Sequence, residues 1–126
     1  MTIWSRRHLG LRALWACVFF VLPSPSLRAA DRTFEITASR FRYDPAVIEV
    51  EEGDHVTLRL HSTDTDHGLE IKALKVKVLV PASGAVVSAQ LVAGSAGTYT
   101  FKCFEYCGLH HDQMRGQLVV KPKASR

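Results

Sequence analysis

Residues 31–126 predict an all-β domain, an antiparallel sandwich or barrel. Apolar and polar residues alternate with a period of two through several short runs, as in strands with one buried and one wet face. Turn signals separate the runs at Asp44-Pro45, Glu52-Gly53-Asp54, Pro81 to Gly84 and Gly94 to Gly97. No stretch carries a convincing helical period.

The elements follow in chain order. Phe34, Ile36 and Ala38 alternate with polar neighbours, and Val47-Ile48-Glu49-Val50 is a second short run. Val56, Leu58 and Leu60 alternate with Thr57, Arg59 and His61. A polar connection, Ser62 to Asp66, leads to His67. Leu74, Val76, Val78 and Val80 alternate with Lys75 and Lys77, and Ala85 to Val92 is a further apolar-rich segment. Tyr99 and Phe101 alternate with Thr98, Thr100 and Lys102, and Leu118 to Val120 closes the domain. About ninety-six residues can bury a small core, one that gains stability from a bound metal.

Residues 1–30 predict an export signal. Arg6, Arg7 and Arg12 form a basic region, Ala13 to Leu22 an apolar one, and Pro23 and Pro25 end it. Leu27-Arg28-Ala29-Ala30 offers small residues for cleavage. About ten apolar residues are too few for the roughly 30 Å hydrocarbon core of a membrane. An uncleaved N-terminal anchor is the alternative, and it is the sole membrane contact expected. Ser5-Arg6-Arg7-His8-Leu9 carries the arginine pair of a twin-arginine signal. The expected location is periplasmic or otherwise extracytoplasmic.

The formal net charge is +4, but residues 1–30 hold four arginines and no acid. Subtracting them from the 16 basic residues leaves 12, against 12 acidic ones. A near-neutral domain without a basic stripe argues against a nucleic-acid partner. Of three cysteines, Cys17 lies in the apolar part of the signal, leaving the close pair Cys103 and Cys107.

That pair sits in the richest segment of the chain, Cys103-Phe-Glu-Tyr-Cys107-Gly-Leu-His-His111-Asp-Gln-Met114. Two thiols, an imidazole and a thioether form a soft donor set that suits copper and not magnesium or calcium. The segment lies between two predicted strands, so its ends are clamped by sheet. Cys107-x3-His111-x2-Met114 matches the spacing of a blue-copper loop, and His67 offers a second imidazole. Two readings of the cysteines stand side by side. A close pair in an exported protein forms a disulfide; a pair with histidine and methionine at these offsets binds metal. The metal-free form can also oxidise and need reduction before loading. A thioredoxin-like thiol pair would call for a βαβ pattern after the motif, and a strand follows instead. His110 is expected at the surface, and His55 and His61 on the wet face of their strand. Asp64 is a candidate for orienting a ligand.

The motif Cys-x-Glu-x-Cys-Gly-x-x-His-x-x-Met, present as Cys103, Glu105, Cys107, Gly108, His111 and Met114, resembles that of the binuclear copper (CuA) cupredoxin domain. That domain occurs in cytochrome c oxidase subunit II and nitrous oxide reductase. Gly97-Thr98-Tyr99 and Asp64-x-x-His67 match as well, so the resemblance spans roughly residues 34–121. It implies a Greek-key β-sandwich of cupredoxin type with two copper ions. By resemblance, Cys103 and Cys107 bridge the coppers and His67 and His111 each bind one. Met114 sulfur and the Glu105 carbonyl are the implied weak axial ligands. Two features depart from the family. The oxidase subunit has two membrane helices ahead of this domain, where this chain has only a signal. Its Trp-rich segment is replaced by Phe41-Arg42-Tyr43.

The expected role is an exported, monomeric electron carrier between redox proteins, with a cytochrome c-like donor or an oxidase acceptor. No nucleophile, general base or substrate pocket is evident, so no independent enzyme is expected. Two alternatives differ in class: a subunit II-like component of a haem-copper oxidase complex, contributing to its activity, and a periplasmic Cu(I) trafficking or assembly protein.

Overall fold

The computed structural model describes residues 28–124. The export-signal reading concerns residues 1–30, and residues 1–27 lie outside this range. Among the described residues, no helix is long and apolar enough to cross a membrane.

Nine strands form two sheets among the described residues. They are β1 (Asp31–Ser39), β2 (Arg42–Asp44), β3 (Val47–Glu51), β4 (His55–Ser62), β5 (His67–Ile71), β6 (Val76–Val80), β7 (Val87–Val92), β8 (Gly97–Lys102) and β9 (Arg115–Lys121). One sheet runs β2-β1-β4-β7 and the other β3-β9-β8-β5-β6. The predicted all-β sandwich is therefore observed, with two short 3-10 turns at Lys72–Leu74 and His111–Gln113.

The alternating residues bury where their period demands. Ile36, Leu58 and Leu60 face inward from the four-stranded sheet, and Ile48, Phe101 and Leu118 from the five-stranded one. Burying each such aliphatic side chain contributes about 1.5–3 kcal/mol. Asp54 is a buried polar exception. Burial pushes its carboxyl pKa up, but N–H bonds from Glu51 and Ala30, with Arg32, outweigh this and hold it below the usual range.

Three expectations need correction. The sheets are mixed, not antiparallel: β1 runs parallel to β4, and β3 parallel to β9. Alternation reports which face is buried and carries no strand direction. The chain makes these parallel pairs by leaving one sheet for the other between β1 and β4. Secondly, His67 follows the polar connection at a strand end as expected, but the strand it opens, β5, was not expected. Every residue of β5 except Glu70 is buried, because the Phe104 ring covers Gly68 on the outer face. That cover erases the period-two signal. Thirdly, Leu74 and Lys75 precede β6 rather than belonging to it: Leu74 ends a 3-10 turn and Lys75 caps it in the left-handed conformation, φ 55°.

Gly116, at the start of β9, lies beneath Phe101. An added Cβ would stand 2.3 Å from the ring and 2.6 Å from the Ala46 carbonyl. Gly116→Ala is expected to destabilise the fold by about 1–3 kcal/mol through overpacking, read as a lowered denaturation midpoint.

Candidate metal centre

Strands β8 and β9 hold the two ends of the cysteine segment. Where they part, the Cys103 N–H donates to the Met114 carbonyl at 3.0 Å and closes the neck of the loop. Inside the loop, the N–H groups of His111, Gln113 and Met114 donate to the carbonyls of Gly108, His110 and His111. These bonds wind the second half into a compact turn. Gly108 has φ +138°, and a Cβ added there would stand 2.9 Å from the Phe41 ring, so a side chain is strained by backbone and by space alike.

The loop lies against the start of β5. Donor atoms of His67, Cys103 and Cys107 all fall within 4.8 Å of one another, and all three residues are buried. Both thiols are free. The Cys103 Sγ receives the Gly68 N–H at 3.4 Å and points its own hydrogen at the Glu105 carbonyl, 3.0 Å away. The Cys107 Sγ stands 3.7 Å from His111 Nδ1 and 3.8 Å from the Met114 sulfur. Met114 is fully buried, and His111 is half-buried at the edge. The structure thus brings His67, Cys103, Glu105, Cys107, His111 and Met114 to one end of the sandwich. His111 lies outside the tightest group and touches it through Cys107.

His67 shows what this arrangement lacks. Its Nε2 lies 2.7 Å from Asp64 Oδ1, while its Nδ1 is buried and has no hydrogen-bond partner. With the carboxylate accepting from Nε2–H, the buried Nδ1 keeps a free lone pair in a residue that sits beside the two thiols. A buried unpaired nitrogen is costly, and a metal ion beside two thiolates satisfies it. The donor set of sulfur and imidazole fits copper.

Asp64 does more than orient His67. It also accepts N–H bonds from Arg40 and Thr65, each at 2.7 Å. Burial pushes its carboxyl pKa up, but the Arg40, His67 and Thr65 bonds prevail and hold it low. Arg40 in turn donates from Nε to the Cys107 carbonyl at 2.8 Å. The β1–β2 turn is thereby tied to both the histidine and the cysteine loop. Tyr43 adds a further tie, donating its hydroxyl to the Gly68 carbonyl. Arg40, Tyr43 and Gly68 were not expected at the site. Only the Asp64-x-x-His67 spacing signalled any of this support.

His110 is exposed as expected, with its ring edge-on to Phe41 at 5.2 Å. His55 is exposed, whereas His61 is half-buried beside Thr37. Phe101 is core and Tyr99 half-buried.

A family model described as a cupredoxin-like domain matches residues 11–120. The chain belongs to the cupredoxin-like domain family. Among curated relatives, this cupredoxin-like chain is 34% identical over 89 residues to a Thermus thermophilus protein named cytochrome c oxidase subunit 2. The match takes in 71% of this chain and 65% of the relative, so the chain spans less than two thirds of that relative's length. In structure it is similar to the periplasmic domain of subunit II of cytochrome oxidase (CoxB) of Bradyrhizobium japonicum. That likeness has TM-score 0.66 at 18% identity, over 76% of this chain and 88% of the other. It is also similar in fold to auracyanin A, a blue copper protein of Chloroflexus aurantiacus. There the TM-score is 0.60 at 20% identity, over 73% of this chain and all of the other.

Two outcomes are expected. Asp64→Ala should weaken metal binding about 10- to 100-fold by freeing the His67 ring, measured by competition with a chelator. Burial, and then the neighbouring Cys103, push the Cys107 thiol pKa up to about 11. At neutral pH the thiol therefore keeps its proton, which a bound metal must displace. Apparent metal affinity should rise steadily from pH 6 to pH 9 by titration, releasing protons into weak buffer.

Proposed function

We propose that the chain is an extracytoplasmic copper-binding electron carrier with a dinuclear, CuA-like centre. The observation that carries this reading is the buried His67–Cys103–Cys107 group with its unpaired Nδ1. Bound copper supplies one-electron oxidation and reduction. Cys103 and Cys107 would be the shared thiolate ligands, with His67 on one side and His111 on the other. The Met114 sulfur and the Glu105 carbonyl would lie at the weak positions. An extracytoplasmic place follows the periplasmic domain that shares this fold, and it suits residues 1–30 as an export signal.

The protein's own contribution is rigidity. Two strands clamp the loop, the Met114 carbonyl closes it, and Asp64 holds the His67 ring. Ligands that do not move between oxidation states keep the reorganisation for electron transfer small. The buried site also excludes water from the thiolates.

A second reading is a component of a haem-copper oxidase complex. The 34% identity to a protein named cytochrome c oxidase subunit 2 favours it. Copurification with a haem-containing membrane complex would support that reading over a free-standing carrier.

Electron paramagnetic resonance with copper quantitation tests the centre. Two coppers per chain, with hyperfine structure from one electron shared over both nuclei, is the expected result. Cys103→Ser should abolish that shared pattern, and His111→Ala should lower bound copper. A single-copper signal unchanged by Cys103→Ser would reduce the centre to a mononuclear one. Copper that stays reduced and silent would turn the reading to trafficking.

A further inference from the structure

On the outer face of the five-stranded sheet, one row of side chains crosses four strands. Lys77 stands opposite Glu70, Glu70 opposite Lys102, and Lys102 opposite Arg115. Lys102 and Arg115 are like charges at directly opposed cross-strand positions, an arrangement that destabilises a sheet. Neither cation is in an ion pair with a nearby carboxylate. The ion pairs among the described residues join Arg32 to Asp54, Arg59 to Glu35, His67 to Asp64 and Lys121 to Glu49. None involves this row. Lys77 lies instead over the Phe104 ring, 4.4 Å from its centre, and Arg115 donates to the Asp112 carbonyl.

Lys72, on the 3-10 turn after β5, brings another cation to the same place. A cleft opens there, walled by Lys72, Lys102 and Arg115 against Glu70 and Asp112, and it reaches Cys103 and His111. Its rim has a surplus of positive charge in a domain that is near neutral overall. The cations are exposed, so their long side chains can meet a partner without desolvating the sheet. The cleft is therefore charged and adjacent to the donor atoms.

Resting on the electron-transfer reading above, we propose that this cleft docks the acidic face of a redox partner protein. Carboxylates on the partner relieve the repulsion between Lys102 and Arg115, and the arginine offers a planar fork for one of them. Docking there sets the partner's redox group beside His111 and Cys103. Complementary charge of this kind raises the association rate and makes it salt-dependent. In the exchange, one electron leaves a reduced partner and enters the oxidised copper centre, with no bond made or broken.

The test uses the full chain and two forms of one probe: basic cytochrome c, and the same cytochrome with its surface lysines succinylated. The first readout needs no copper. Amide shifts of the isotope-labelled chain should move at Lys72, Lys102 and Arg115 with the succinylated form and not with the native one. The second readout is oxidation of ferrous cytochrome by the copper-loaded chain. The succinylated form should react about tenfold or more faster at low salt, and the advantage should vanish as screening increases. The Lys72→Glu/Lys102→Glu double variant should invert the preference; its copper spectrum serves as the control on the centre. Equal shifts and equal rates for the two forms, or a preference for the native basic form, would overturn the proposed surface. Shift changes confined to the acidic form in a chain that takes up no copper would uphold the surface and overturn the copper reading.

Discussion

The neck of the cysteine loop is the constraint on which the centre depends. Cys103 leaves β8 and Met114 precedes β9, and the bond between their backbones fixes how far apart the loop's ends stand. The bonds of the following turn then set Cys107, His111 and Met114 relative to one another. Without the closed neck, three of the sulfur and nitrogen donors would be carried on an unconstrained loop. Loop ordering costs about 1–2 kcal/mol of backbone entropy per residue, and this hydrogen-bonded frame offsets part of that cost before any metal arrives.

A second support comes from the opposite direction. Asp64 gathers the backbone of Arg40 and Thr65 and the ring of His67, and Arg40 passes the tie on to the Cys107 carbonyl. Elements from both sheets therefore hold the site. One imidazole nitrogen is satisfied by the carboxylate and the other is left unpaired among thiols. A buried group without a partner is a liability to a metal-free fold and an asset to a metal site. The raised thiol pKa has the same origin. Burial and the neighbouring Cys103 disfavour the Cys107 anion until a cation balances it.

Much of this was legible in the residues. Period-two alternation or short apolar runs located seven of the nine strands among the described residues, because most of them bury one face. It failed at β5, where Phe104 covers the outer face, and at β2, whose three residues are too few for a period. The donors in the loop were legible because one short segment carries them at fixed offsets. His67 was legible through its spacing from Asp64, but its burial was not, since a histidine after a polar stretch reads equally as a surface residue.

The sequence by itself determined the all-β class, the donor chemistry and the position of the ligand loop between two strands. These are local properties: a side-chain period, a set of atom types and a spacing. Tertiary structure alone decided the parallel pairings, the roles of Arg40, Tyr43 and Gly68, and the row of cations beside the site. Each of those joins residues distant in the chain, as Arg40 joins Cys107 across 67 positions. A contact of that kind arises from the packing of two sheets, and no local pattern of residues encodes it.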